Sequence, residues 1–446
     1  MNTLGNRFAS LVCAVLVLHG CCSPRAPETL DELVASYNAA RKEANSVPTA
    51  AGAVERAITV WVERDIDFEA CLALPETNKE VDVGGGKSKG TGRLFVRMKR
   101  PSAPVPDQLK GTVRANRAAF AELRKAQGLP PGMPPLEYQQ PGAETVTPCP
   151  FLAKSRSLGD LLMLAVRVEL GEGNTTLAKE LVQDCLTVDK ALHNGTTVVS
   201  LVMRQAPMVF ANISALNVAL NGDCSPSELE ALAADLESIP EPSHVDIIRA
   251  MTFDRALALK WIALIEKWSD ERLDELIQAN SANYARDPVI AKATVQSVRA
   301  ALAVNRAKLL DAYARLMQVL RSRGQRVREE PSEEDRYFVV LWHPAATARA
   351  TQDRTLGGVA RRRATVSLLR SFAFFRRAKR APQATELKLP DDPFRPGQKM
   401  VYKYDKKNGR IGVYSRGWPE KYRRPEDPTM IGYWLSLEEP KRANGE

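Results

Sequence analysis

Residues 157–195, SLGDLLMLAVRVELGEGNTTLAKELVQDCLTVDKALHNG, carry the pattern that decides the fold. Apolar residues recur at helical spacing up to Gly171, which predicts one amphipathic helix. Asn174 can cap a second helix, which ends at Asn194-Gly195. Because so short a connection makes neighbouring helices antiparallel, this stretch predicts an antiparallel helix pair.

The same alternation of helices and short breaks continues toward the C-terminus. Thr196 to Asn221 is strongly apolar, and Pro207 is expected to kink it. Ser225-Pro226-Ser227-Glu228 is typical of a helix start, with Ser at the N-cap, Pro at N1 and Glu at N3. Further helices are predicted over 243–267, 269–283 and 287–323, with two more between 332 and 380. The predicted fold is mainly α: an antiparallel helical array, solenoid- or bundle-like, with a small C-terminal β-hairpin module.

Toward the N-terminus the pattern is less regular. Helices are predicted over Glu28–Asn45 and in parts of 51–127, with a strand-like run at Arg93–Met98. Residues 128–150 are proline-rich and predict a linker or a strap over the surface. The predicted regions are a signal peptide (1–20), a tether with a short helix (21–50), an N-terminal helical region with Gly/Pro-rich loops (51–150), the helical array (151–385), the hairpin module (386–436) and a tail (437–446).

The composition is that of a globular protein, with 44% hydrophobic and 26% charged residues in a chain of 446. The formal net charge of +10 favours anionic partners. Only four histidines occur in the chain. The segment 83–90, VGGGKSKG, contains GKS, but Val81 stands where a P-loop needs its first glycine. The sequence therefore predicts no catalytic residues, no metal site and no cofactor.

The N-terminus predicts export. Residues 8–18 form an apolar run that is too short to span a bilayer and has the length of a signal-peptide core. Leu18, Gly20 and Cys21 then resemble the lipobox of bacterial lipoproteins, in which the cysteine is lipidated. A plain secretory signal and an uncleaved anchor are the alternatives. The resemblance implies attachment at Cys21 to the exported side of the inner membrane or to the outer membrane.

Cysteine usage leaves disulfide pairing open. Cys185 and Cys224 lie in adjacent predicted helical segments and could bridge them, and Cys71 and Cys149 could form a second bridge. Cysteine is also a common core residue, so buried free thiols are the alternative.

A basic helix is predicted over Arg354–Arg380, a segment with nine Lys or Arg and no acid. In one interpretation it binds an anionic membrane or an acidic partner. In the other it packs in the core, and its arginines reach acids such as those between Glu329 and Glu334. The candidate residues for binding an anionic surface are Arg361, Arg362, Arg363, Arg370, Arg376 and Arg377.

Asn408-Gly409 predicts a two-residue hairpin turn between strands near 399–406 and 411–416, with no other long sheet. The predicted register pairs Tyr404 with Val413 and Tyr402 with Ser415. It places Tyr402, Tyr404, Ile411 and Val413 against the helices and Tyr414 outward.

The region around this hairpin resembles a C-terminal module of exported planctomycete-type proteins of unknown function, and it is similar to the end of the major pseudopilin of type II secretion. The residues that carry the resemblance are Leu389, Pro390, Asp392, Pro393, Phe394, Gly397, Tyr402, Tyr404, Tyr414, Ser415 and Gly417. Trp418-Pro419 replaces the acidic pair expected next, so the pseudopilin calcium site is not carried over. The N-terminal assembly helix of a pilin is also absent.

These features predict a non-catalytic envelope lipoprotein that acts as a scaffold or binding surface. Its expected partners are the membrane, through the lipid anchor, and an envelope protein or anionic polymer, but not nucleic acid. One alternative is an assembly factor for a secretion or pilus-like machine. The other is an exported hydrolase or lyase that acts on cell-wall or polysaccharide material.

Overall fold

A computed structural model of the chain describes residues 29–62, 95–98, 107–138, 149–283, 294–322, 344–418 and 431–437. Among the predictions, the signal peptide, lipidation of Cys21 and a bridge from Cys71 lie outside the described residues, as does the GKS-containing segment 83–90.

The described part of the chain is mainly α-helical, as the sequence predicts. The helices are α1 (Leu30–Ala44), α2 (Ala50–Val60), α3 (Asp107–Ala115), α4 (Arg117–Arg124), α5 (Pro150–Gly171), α6 (Thr175–Ala191), α7 (Val198–Met203), α8 (Gln205–Asn221), α9 (Pro226–Ser238), α10 (His244–Ile265), α11 (Asp270–Asn283), α12 (Val295–Arg321) and α13 (Pro344–Ala378).

Local sequence explains where two of these helices begin. At α9 the Ser225 hydroxyl accepts a hydrogen bond from the Glu228 backbone N–H, and the Glu228 carboxylate accepts one from the Ser225 N–H, forming the predicted capping box. The apolar stretch 196–221 is divided into α7 and α8 at Arg204, because Pro207 has no N–H to donate to the carbonyl four residues earlier. Val198–Asn221 is the one described stretch long and apolar enough to cross a membrane, and half of it is buried inside the body.

The proline-rich segment forms a strap over the N-terminal helices. The carbonyls of Pro130 and Pro131 accept hydrogen bonds from the N–H groups of Ala50 and Ala51, at 2.9 and 3.0 Å. These N–H groups open α2 and have no partner within the helix itself. The Tyr37 hydroxyl of α1 donates to the carbonyl of Pro134, at 2.9 Å. The strap thus supplies acceptors that the helix start needs.

The main core forms around α13. Helices α5, α6 and α8 pack on one another, and α13 packs on α8 and α9. A solenoid unit contacts only its sequence neighbours, whereas α13 contacts helices from early in the array. The array is therefore bundle-like. A second core joins α10, α11 and α12, in which the buried Tyr313 hydroxyl donates to Asp254 at 2.7 Å.

The strands are β1 (Phe95–Met98), β2 (Asp391–Asp392), β3 (Arg395–Lys399), β4 (Val401–Asp405), β5 (Arg410–Ser415) and β6 (Ile431–Ser436). Four of them form one sheet in the order β1-β6-β5-β4, in which β6 is antiparallel to β5 and parallel to β1. Strands β2 and β3 form a separate antiparallel ribbon. The expectation of a hairpin with no other long sheet was wrong, because β6 and β1 extend it on one side.

The predicted hairpin is present, but its register differs by two residues. Tyr404 pairs with Ile411, and Tyr402 pairs with Val413. The two-residue turn is wrong because Lys406–Asn408 form a 3-10 turn and Gly409 follows with φ of 57°. Because the side-chain period of a strand is two, this shift leaves each residue on its predicted face.

Two tyrosines of the hairpin, Tyr404 and Tyr414, differ from the prediction in whether they are buried or exposed. Ile411 and Val413 are fully buried in the main core, where β5 packs on α13. Tyr404 is 42% exposed, however, and does not cover the helices. Tyr414 was expected outside but is buried, because Trp434 of β6 stacks on its ring.

Candidate functional site at the buried Arg204–Arg362 pair

The basic helix predicted from the sequence is the C-terminal part of α13, and much of its charge is neutralised inside the body. The Arg363 guanidinium binds both carboxylate oxygens of Glu241, at 2.6–3.1 Å. Arg370 binds Glu237 of α9 at 2.6 Å. These contacts match the core-packed alternative. The acids predicted as partners, between Glu329 and Glu334, lie outside the described residues.

Two further arginines of α13 reach the ends of neighbouring helices. Arg377 forms an ion pair with Glu230 of α9, at 3.3 Å. Arg376 donates to backbone carbonyls that close the C-terminus of α8. Those carbonyls belong to Ala219, Gly222 and Cys224. An arginine beside a helix C-terminus satisfies carbonyls that lack a partner within the helix.

Arg362 lies deepest of the predicted surface residues and is only 1% exposed. Its inclusion in an anionic-surface site was therefore wrong, because a membrane or polymer cannot reach it. Arg361 is also largely enclosed, and burial lowers its pKa. The sequence did not reveal that α13 turns this side toward α6, α8 and the sheet.

Arg362 shares one carboxylate with a second buried arginine. Asp189, in the last turn of α6, accepts a hydrogen bond from Arg204 Nε at 3.1 Å and another from Arg362 Nη2. All three side chains are at most 1% exposed. Burial alone would raise the pKa of Asp189, but the charges of Arg362 and Arg204 outweigh it and hold that pKa below its usual value. The carboxylate is therefore ionised between two guanidinium groups.

The two guanidinium groups have more donors than the described residues have acceptors for them. Arg204 Nη2 donates to the carbonyl of Pro240, at 2.6 Å. Arg204 Nη1 and both Nε and Nη1 of Arg362 are buried and have no hydrogen-bond partner among the described residues. More than nine-tenths of buried polar groups in folded proteins have a partner, so three such atoms at one place are unusual.

Other unpartnered polar atoms continue along the contact between α8 and α13. Gln205 lies against the backbone of Gly358, where a Cβ would overlap its amide. Further along, burial raises the pKa of Tyr433 to about 12. The remaining buried atoms without a partner in this part of the described chain are Gln205 Oε1, Thr355 Oγ1 and Arg361 Nε. The contact is thus a polar seam within an apolar core.

His193 borders the seam at the end of α6. Burial lowers its pKa to about 4, and the positive charge of Arg204 acts in the same direction. The carboxylates of Asp246 and Asp189 oppose the shift without reversing it. His193 is therefore neutral at pH 7. The sequence analysis did not predict the seam, although Arg204 is a lone charge in the apolar stretch 196–221.

The two thiols predicted as a bridge are free in the structure. Cys185 lies in α6 and Cys224 follows α8, and both are buried. Burial raises the pKa of each. The structure therefore agrees with the alternative of buried free thiols.

Four of the residues that carried the C-terminal resemblance, Asp392, Phe394, Ser415 and Gly417, form an internal clasp. Asp392 is 2% exposed and accepts hydrogen bonds from the Ser415 hydroxyl at 2.7 Å and from the Phe394 N–H at 2.9 Å. Ser415 Oγ in turn accepts from the Gly417 N–H, at 2.9 Å. The DPF and YSxG segments are therefore held together by one buried carboxylate.

Trp418 connects this clasp to the helical body. Its ring packs edge-on against Phe394, with centroids 5.4 Å apart. Its indole N–H donates to Asp353 of α13, at 2.6 Å. Trp418 thus joins the C-terminal module to α13.

Within the part of the chain that the structure describes, no group of three or more His, Cys, Asp or Glu side chains could hold a metal ion. Comparison with protein-family models, curated proteins and solved structures found no match to this chain. The arrangement of residues is therefore the basis for any function assigned to it.

Proposed function

We propose that this chain is a lipid-anchored, non-catalytic protein of the bacterial cell envelope, whose helical body acts as a scaffold or binding surface. The observation that carries the proposal is the short distance in sequence between Cys21 and the start of the folded body at Thr29 and Leu30. Thr29 caps α1, and Leu30 is 3% exposed in a small core with Phe253 and Leu257 of α10. Asp31 also forms an ion pair with Lys260 of α10, at 2.6 Å.

The short connection would limit how far the body can stand from the bilayer. Nine residues from Cys21 to Leu30 span at most about 30 Å when fully extended. A lipid on Cys21 would therefore hold the surface formed by the start of α1 and the middle of α10 near the membrane. The opposite surfaces would be presented away from it, as a scaffold requires.

The internal use of the charged segments also supports a non-catalytic role. The arginines of α13 are engaged mainly with acids and carbonyls of the same chain. Asp392 joins the DPF and YSxG segments to each other, and Trp418 holds the C-terminal module to α13. Both groups hold helices and strands in a fixed arrangement. In the proposed role, that fixed arrangement is what the protein contributes.

The anchor is tested with Cys21→Ala and the adjacent Cys22→Ala as a matched control. We expect Cys21→Ala to abolish labelling by radioactive palmitate and to leave the precursor unprocessed, because both steps need the thiol. Cys22→Ala should be labelled and processed as in the wild type. Equal palmitate incorporation in the Cys21→Ala variant would remove the anchored role.

The scaffold role is tested by crosslinking in envelope fractions followed by purification of the wild-type chain. We expect one reproducible envelope protein or polymer among the products. Components of a secretion or pilus-like machine would favour the assembly-factor alternative, for which the C-terminal resemblance is the support. Turnover of purified cell-wall polysaccharide by the wild-type protein would contradict the non-catalytic role.

A further inference from the structure

The pair of Arg204 and Arg362 has an excess of positive charge that the described residues around it do not balance. Two guanidinium groups meet one carboxylate, that of Asp189, so the cluster carries a net charge of +1. Asp246 also acts on Arg204, but its carboxylate binds the start of α10 and Arg249. An uncompensated charge in a protein interior carries a large desolvation penalty, which favours a counter-ion beside it.

The leftover hydrogen-bonding groups specify the chemistry of that counter-ion. Arg204 Nη1 and the Nε and Nη1 atoms of Arg362 are donors only, and all three are buried without a partner among the described residues. Whatever binds them must therefore accept hydrogen bonds. A metal cation is excluded here by both charge and donor type. Water would satisfy the donors, but it would leave the charge uncompensated.

We propose that the free N–H groups of Arg204 and Arg362 bind one small inorganic anion of the chloride class inside the helical body. The anion would complete a four-charge cluster with Asp189, in which two positive and two negative charges alternate. It would join α6, α8 and α13 at the point where their side chains meet. This site is independent of the lipid anchor and of any partner.

The first test measures thermal stability against chloride at constant ionic strength, with gluconate replacing chloride. A ligand that binds only the folded state raises the melting temperature with the logarithm of its concentration. We expect this rise in the wild type and its loss in Arg362→Met, because Asp189 and Arg204 then form a neutral pair. The matched control is Arg370→Gln, which removes one charge from an exposed pair on the same helix and should keep the wild-type rise.

A second variant keeps the proposal open to refutation if Arg362→Met does not fold. Asp189→Asn leaves two buried arginines without a carboxylate, so its melting temperature should depend on chloride more steeply than that of the wild type. A chloride dependence equal in the wild type, Arg362→Met and Asp189→Asn would overturn the proposal.

Direct observation comes from crystals of the wild-type protein soaked in bromide, which scatters anomalously. We expect a bromide peak in contact with the guanidinium groups of Arg204 and Arg362. Ordered water alone at this position, with bromide found only on the surface, would show that the donors are hydrated and would overturn the proposal.

Discussion

Replacement of Asp392 by Ala should loosen the C-terminal module, whereas replacement of its neighbour Asp391 should have little effect. The Asp392 side chain is buried and accepts hydrogen bonds from Ser415, Phe394 and Arg416. Asp391 is exposed and forms an ion pair with Lys399, in which the two side chains are 61% and 65% exposed. The two substitutions delete the same carboxylate at adjacent positions.

The magnitude follows from the donors that Asp392→Ala leaves behind. The Ser415 hydroxyl and the Phe394 N–H, at 2.7 and 2.9 Å from the carboxylate, are both buried. Each buried donor without a partner costs about 1–3 kcal/mol, which gives about 2–6 kcal/mol in the free energy of unfolding. The Arg416 N–H is only partly buried and contributes less, because water can reach it. An exposed ion pair is worth about 0–1 kcal/mol, so Asp391→Ala should cost no more than that.

The assay is urea unfolding followed by far-ultraviolet circular dichroism, together with limited proteolysis of residues 386–437. Asp392→Ala should lower the urea midpoint or give a separate early transition, and protease should cut its C-terminal module first. Asp391→Ala should behave as the wild type in both measurements. A difference below about 0.5 kcal/mol between the two variants, with equal protease resistance, would refute the role assigned to the buried carboxylate.

Two further predictions concern the polar seam. Gly358→Ala should lower the free energy of unfolding by about 1–3 kcal/mol, because the added Cβ overlaps the buried Gln205 side chain. Gly357→Ala places its Cβ in open space and should raise the free energy of unfolding by up to about 1 kcal/mol through helix propensity. The urea midpoints of the two variants test this difference, and equal midpoints would contradict the packing. The pKa of His193 is about 4 in the folded state and 6.5 when unperturbed. As pH falls, the unfolded state therefore takes up the proton first, and the free energy of unfolding decreases from pH 6.5 toward pH 4 by up to about 3 kcal/mol. His193→Gln should remove that part of the pH profile, and an unchanged profile would show that other groups cause it.

Signals from adjacent residues predicted the helices well. The capping box at Ser225 and the kink before Pro207 depend on residues within one turn of the helix, so the sequence itself contains their causes. The periodicity of residues 157–195 likewise predicted α5 and α6. The helical fold class follows from these local causes.

The sequence did not predict features that depend on distant segments. The hairpin turn lies at Asn408-Gly409 as predicted, but it is longer than two residues. The last strand pair before it is Asp405 with Arg410, whose side chains also form an ion pair at 2.8 Å. Strand β6 was not predicted. It forms by pairing with β5 and β1, and its own sequence does not indicate these partners.

The same limit applies to the buried arginine pair. Arg204 lies at the junction of α7 and α8, whereas Arg362 lies in α13, and the two meet only because α13 packs against α8. A lone arginine in an apolar stretch was the available signal for the first of them. The runs of arginine in α13 suggested a surface instead, because a charge pattern does not show which side of a helix is covered.

The parallel pairing of β1 with β6 constrains the order in which the molecule can fold. Phe95 pairs with Gly432, so the sheet is completed only when a segment in the first quarter of the chain meets one near its C-terminus. Closing so long a loop is slow, because its entropy must be lost before the contacts that reward it can form. Until then the apolar side of α13 lacks Tyr433 and Leu435, both of which are buried in the finished core. During synthesis from the N-terminus, this side of α13 therefore stays accessible to proteases and chaperones until residues 431–436 have been added.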